Sequence, residues 1–344
     1  MLLGERGGWP GFMACPSSLL RRAGYVRLCP TLTSGCSMGP LRSASAEARK
    51  PPPSRNASPR LRPKISLGQH FLNDANIARK IVQAVDACAP ETLIELGAGT
   101  GALTLPLWDK YPDMMAWEVD RRAIEILRGR LTEQRAQLLG AEAAVNAATS
   151  ELVQHRDALR VNWSQAFATE RQRRGRPFIT VVGNLPYNIV SQILFGCLES
   201  TDVIRHAVFM VQREVAERIT APPRCKDYGV LSVIAQLYSQ PRILFPVPRT
   251  VFSPVPNVDS AVMRFDFVEP AAVTGLSCLH TAAAVRRVVK LAFHQRRKKL
   301  RNNLDADALH EAWADRRAEE LSPTEFVELA RMLLATEKKR SARQ

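Results

Sequence analysis

The segment Ile94-Glu95-Leu96-Gly97-Ala98-Gly99-Thr100-Gly101 restricts this chain more than any other. A short strand-like run enters three closely spaced glycines and then a helical pattern, Ala102–Leu107. Glycine admits backbone conformations and close approaches that a side chain forbids, so a strand ending in such a turn exposes main-chain N–H groups to a ligand. The spacing is G-x-G-x-G, whereas the dinucleotide turn G-x-G-x-x-G places its third glycine one residue later. Gly97, Gly99 and Gly101 are therefore read as cofactor-binding, with Glu95 as the acid preceding them. A plain tight turn would use the same residues.

Around this turn, apolar and often β-branched runs alternate with amphipathic stretches. Thr92–Leu96, Met114–Val119, Thr180–Val182 and Ala207–Val211 have the apolar character of parallel strands buried on both faces. Ile77–Val85, Arg121–Leu131 and Ile189–Leu198 read as amphipathic helices, and the Ala/Glu/Leu-rich piece from 132 to 151 extends a helix within this unit. Ser260–Phe267 is a further strand. Such alternation implies an α/β doubly wound, Rossmann-like sheet over residues 65–268. Beyond Glu269 the pattern turns helical and basic, which marks a small C-terminal helical domain at 269–344.

Of the formal net charge of +15, residues 1–64 carry +9, from 11 Lys or Arg against two acids. This segment is rich in Arg, Ser and Pro and has no clean apolar block after a short basic start. It is read as an organellar transit peptide, mitochondrial or plastid, followed by a Pro-rich linker. No run approaches the about 18 apolar residues of a membrane span, so no membrane partner is expected. Cys88, Cys197, Cys225 and Cys278 show no paired spacing, and the six histidines are dispersed. No metal site is expected.

Two acids and one loop complete the candidate site. Glu118 ends the second strand, 21 residues after Gly97, where a carboxylate can accept both hydroxyls of a ribose. Asp157 follows a short strand candidate and can accept from an adenine amino group, although a lone Asp there is also an ordinary turn former. Asn184-Leu185-Pro186-Tyr187 follows an apolar strand and so lies at the carboxyl edge of the sheet, where α/β folds bind ligands. The loop suits methylation of an amino group. An adenine amine is a poor nucleophile because its lone pair is delocalised, and acceptors at Asn184 can localise it. Pro186 stiffens the loop, and Tyr187 offers a face to a flipped-out base.

The glycine turn with Glu95 and Glu118 matches class I methyltransferases, and the resemblance then becomes specific. Leu67–Leu72, Glu95–Gly101, Asn184–Tyr187, Gln212–Arg218, Tyr228–Val233, Phe252–Ser260 and Ala292–Lys298 match in order. Together they are similar to the ribosomal RNA adenine dimethyltransferases, over about Leu67 to Leu304. The resemblance implies S-adenosyl-L-methionine as cofactor and N6,N6-dimethylation of two adjacent adenosines in the 3′ hairpin of small-subunit rRNA. It implies cofactor contacts at His70, Leu72, Gly97, Glu118, Asp157 and Asn184, a catalytic loop at Asn184–Tyr187, and Phe252 as the second face of a base sandwich. His70 departs from the family, which more often has Asn, and Ala98 stands where many members have Pro.

From Val285 to Leu304, eight of twenty residues are basic and none is acidic. Val285, Val288, Val289, Ala292 and Phe293 give one apolar face, leaving Arg286, Arg287, Lys290, Arg296, Arg297, Lys298, Lys299 and Arg301 as candidate phosphate contacts. A charged helix that only docks on the catalytic domain would look the same. The run 171–176 is a second basic segment. The expected partners are small-subunit rRNA and the immature small ribosomal subunit, met by a monomer. A non-catalytic assembly or mitochondrial transcription factor, and a DNA adenine methyltransferase, are the alternatives; the intact loop and glycine turn favour catalysis on rRNA.

Overall fold

The computed structural model describes residues 69–139, 152–163, 178–268, 279–305 and 309–341, with isolated positions between 164 and 177. The expected transit segment, the helix extension at 140–151 and most of the basic run 171–176 lie outside the described residues.

The first half of the described chain alternates strand and helix: β1 (Phe71–Leu72), α1 (Ala75–Asp86), β2 (Leu93–Leu96), α2 (Thr104–Trp108), β3 (Met115–Glu118), α3 (Arg121–Leu139) and β4 (Val153–His155). It continues through β5 (Ile179–Asn184), α4 (Val190–Glu199), β6 (Ile204–Gln212), α5 (Arg213–Thr220) and α6 (Val230–Tyr238). Then follow β7 (Ser239–Val247), β8 (Phe252–Ser253), β9 (Ser260–Phe267), α7 (Leu279–Ala292), α8 (Glu311–Ala314) and α9 (Pro323–Ser341). The start of α1 shows why such elements form. The Asp74 carboxylate accepts from the free N–H groups of Asn76 and Ile77, and Ile77, Ala78, Ile81, Val82 and Val85 make one buried stripe.

Seven strands form one sheet in the order β4-β3-β2-β5-β6-β9-β7. The five from β4 to β6 are parallel; β9 runs antiparallel to β6, and β7 antiparallel to β9. The sheet is thus mixed rather than wholly parallel. Consecutive residues of its central strands fall into two separate cores. Leu93, Ala116, Val182 and Val208 pack with Ile81, Leu107 and Leu127 from α1, α2 and α3. Ile94, Met115, Val181 and Phe209 pack on the opposite face with Ile193 of α4, Val289 of α7 and Phe326 of α9. Burial on both faces is what the continuous apolar runs encode.

The C-terminal helices therefore share a core with one face of the sheet. Polar bonds add to this: the Tyr228 hydroxyl donates to the Leu321 carbonyl at 2.8 Å, and the Arg224 N–H to that of Glu319 at 2.7 Å. One expectation fails here. The basic stretch 285–304 is not a single helix, because α7 stops at Ala292. The Asn303 side-chain amide donates to the carbonyls of Ala292 (2.7 Å) and Gln295 (3.1 Å), taking acceptors that a longer helix would use internally. Residues 296–299 consequently lie beyond α7, before a short 3-10 turn at Leu300–Asn302.

Candidate active site

A cavity of about 320 Å³ opens at the carboxyl ends of β2, β3 and β5. The glycine turn forms its floor: Gly97 and Gly99 take left-handed backbone angles, φ 69° and 56°. Gly183 makes the neighbouring wall possible, since a Cβ there would lie 2.7 Å from the Leu96 carbonyl oxygen. The third glycine of the motif does something else. Gly101 does not line the cavity; its φ is 93°, and a Cβ there would meet Leu127 Cδ1 at 2.6 Å. Its backbone angle favours glycine and it sits against Leu127 of α3, so the structure gives it a packing role outside the cavity wall.

Two carboxylates organise the cavity. Glu118, nearly buried, accepts from the N–H groups of Gly99 (2.7 Å), Val119 (2.8 Å) and Asp120 (2.9 Å), which locks the tip of β3 to the glycine turn. Oε1 takes the Val119 and Asp120 bonds, whereas Oε2 accepts only from Gly99 and retains a lone pair for a ligand hydroxyl. Glu95, identified in the sequence only as the acid before the turn, lines the cavity at 2% exposure with Oε2 unpartnered. Burial pushes its carboxyl up to about 8; Thr104 pulls the other way, and the nearby Glu118 charge adds to the rise. Asp157 also lines the cavity, but Oδ1 accepts from the Leu159 N–H at 2.9 Å and Oδ2 pairs with Arg160 at 3.3 Å. It is a turn former and a wall residue together. Leu72 belongs to the lining as well.

Asn184, Leu185, Pro186 and Tyr187 line the same cavity, at its β5 side. The Asn184 side-chain nitrogen donates to the His70 carbonyl at 3.1 Å, which leaves Oδ1 as the acceptor of that amide. Beyond supplying that carbonyl, the His70 ring stacks on Tyr187 with centroids 5.6 Å apart at 25°, and its Nδ1 donates to the Pro254 carbonyl at 2.8 Å. Because a carbonyl only accepts, Nδ1 carries the proton of this bond, which ties His70 to the 252–259 loop. The Tyr187 hydroxyl bonds to the Ser260 hydroxyl at 2.8 Å.

The structure corrects the reading of Phe252. Phe252 is 3% exposed, absent from the cavity wall, and paired with Leu72 across the β1–β8 ribbon. Its ring is committed to the core beneath α1, so His70 rather than Phe252 faces Tyr187. The His70 stack and Ser260 carried no local signal in the sequence, because both meet Tyr187 through long-range contacts.

Most of the basic candidates have intramolecular partners. Arg286 pairs with Glu199, Arg287 with Glu337 (2.6 Å), Arg296 with Glu319 (3.4 Å), and Lys299 and Arg301 share Asp315 (3.0 and 2.6 Å). Lys290, Arg297 and Lys298 are exposed and form no ion pair among the described residues. Among those residues there is no cluster able to hold a metal ion, and no helix is long and apolar enough to cross a membrane.

Residues 60–334 match the family model described as ribosomal RNA adenine dimethylase. The chain is 42% identical over 281 residues to ribosomal RNA small subunit methyltransferase A of Salinibacter ruber, covering 79% of this chain and 85% of that protein. It is 41% identical over 278 residues to the protein of the same name from Xanthomonas axonopodis, covering 79% and 97%. A dimethyladenosine transferase from Plasmodium falciparum superposes with a TM-score of 0.58 at 21% identity, covering 79% of this chain and 98% of that one. The 23S rRNA methyltransferase ErmE gives 0.52 at 23%, covering 76% and 99%. Both share the fold.

Proposed function

The chain belongs to the ribosomal RNA adenine dimethylase family, and from that premise we propose that it dimethylates two adjacent adenosines in the 3′ hairpin of organellar small-subunit rRNA. It is an S-adenosyl-L-methionine-dependent rRNA adenine dimethyltransferase with the class I methyltransferase fold. The cavity fits that cofactor: the glycine turn admits close approach, Glu118 Oε2 offers an acceptor for a ribose hydroxyl, and the orphaned Glu95 oxygen can accept a hydrogen bond from an amino group. When bound, the cofactor supplies a methyl group on a positively charged sulfur.

The observation that carries the reading is the fixed Asn184 amide. With its nitrogen held by the His70 carbonyl, Oδ1 can accept an adenine amino hydrogen and draw the nitrogen lone pair out of the ring. Tyr187 supplies the stacking surface for the extruded base. The amine becomes acidic once methylated, so no strong base is required of the chain. Support for the organellar destination is compositional, from the basic, acid-poor residues 1–64. We assign the mitochondrion, with a plastid as the alternative, and action as a monomer on the immature small subunit.

Primer extension across organellar small-subunit rRNA, with and without the protein, tests the substrate. The two adenosines should lose their dimethyl blocks when the protein is absent; unchanged blocks would overturn the assignment. A reporter fused to residues 1–64 should enter mitochondria, and a cytosolic reporter would refute the targeting.

A further inference from the structure

We propose that Ser260 is a positioning residue for methyl transfer, acting through the Tyr187 hydroxyl to fix the position of the ring on which the target adenine stacks. The inference rests on the reading of Tyr187 as the stacking surface. Ser260 is fully buried and opens β9, in register with Gln212 of β6 on one side and Val247 of β7 on the other. Its immediate neighbour is braced too. The Asp259 carbonyl accepts from the Arg213 N–H at 3.0 Å, and its carboxylate from the Arg249 N–H at 3.0 Å. Ser260 Oγ is therefore an immobile point, and its 2.8 Å bond reaches the far tip of the Tyr187 side chain.

A phenol ring held only at its Cβ can swing about two torsions. A bond at its hydroxyl fixes where the ring axis points, because the oxygen lies on that axis, and the His70 stack sets the rotation about it. His70 already covers one face of that ring, at 5.6 Å between centroids, so an incoming base has the other face. Burial raises the Tyr187 hydroxyl above the ordinary phenol range, which keeps it a neutral hydrogen-bonding group. The bond also joins the loop after β5 to the start of β9, which approach only in the folded chain. The hydroxyl is thus part of the catalytic geometry, and the ring alone does not account for Tyr187.

The test is a double-mutant cycle with Ser260→Ala and Tyr187→Phe, which delete opposite ends of one bond without adding bulk. Single-turnover methylation of small-subunit rRNA, cofactor affinity and thermal unfolding are measured for each. Each single variant should slow methyl transfer on the order of ten- to a hundredfold, the cost of a misplaced reacting group, with cofactor affinity unchanged. The double variant should be no slower than the slower single, because both remove the same contact. Ser260→Thr, which keeps the hydroxyl, should restore most of the rate. Wild-type rates in Ser260→Ala, or losses that multiply in the double variant, would overturn the proposal. So would a loss that follows thermal stability alone. An inactive wild type would instead sink the function assigned above, and this inference with it.

Discussion

Glu95 makes the sharpest pH prediction at the scale of single residues. Its carboxyl sits at about 8 in the fold, well above the ordinary glutamate value that the unfolded chain retains. Between those values the folded chain holds a proton that the unfolded chain has lost, so stability falls as pH rises through that window and levels off above it. Thermal unfolding of the ligand-free protein should therefore decline between about pH 5 and about pH 8, and Glu95→Gln should flatten that decline. Parallel curves for the two proteins would refute the assignment. Asn184 carries a second prediction. Asn184→Asp keeps an acceptor oxygen but places a carboxylate where an amide donates to the His70 carbonyl at 3.1 Å. It should bind cofactor yet transfer methyl groups much more slowly than wild type, although faster than Asn184→Ala. A rate equal to wild type would show that the His70 anchor is idle.

Among the elements, the glycine turn divides into two jobs. Gly101→Ala forces a Cβ into Leu127 at a backbone angle that disfavours side chains, and should cost roughly 1–3 kcal/mol of stability. Cofactor affinity per folded molecule should change little, as judged by calorimetry; a large affinity loss with unchanged stability would contradict the division. The sequence showed all three glycines but not this split, because spacing reveals a turn and not what packs behind it. The central strands were legible for a clear reason: burial on both faces writes continuous apolar runs at 93–96, 115–118 and 179–183. Strand β7 was not. It contains Pro241 and Pro246 and lies at the sheet edge, mostly exposed, so neither alternation nor a hydrophobic run marks it. The end of α7 was missed for a comparable reason: Asn303 caps it from eleven residues away. Phe252 reads as a site residue only through the family resemblance, and its own side chain is buried in the core.

For the whole molecule, the charge pattern separates fold from binding. Arg286, Arg287, Arg296, Lys299 and Arg301 face acidic partners, whereas Arg297 and Lys298 are exposed and clear of them. Replacing Arg297 and Lys298 with Ala should flatten the salt dependence of RNA affinity by about 0.7–0.9 per lost phosphate contact. Arg296→Ala should instead lower thermal stability, since its guanidinium also donates to the Cys225 carbonyl at 3.2 Å. The reverse pattern would show that the intramolecular pairs open on RNA. The central claim is that this cavity and the Asn184–Tyr187 loop form one methyl-transfer site for rRNA adenine. Its most direct test is single-turnover transfer from S-adenosyl-L-methionine to a small-subunit 3′ hairpin, or to immature subunits, with products identified by mass spectrometry. Wild type should yield N6,N6-dimethyladenosine at adjacent adenosines, and Asn184→Ala should bind cofactor yet yield almost none. Equal product from the two proteins would contradict the account.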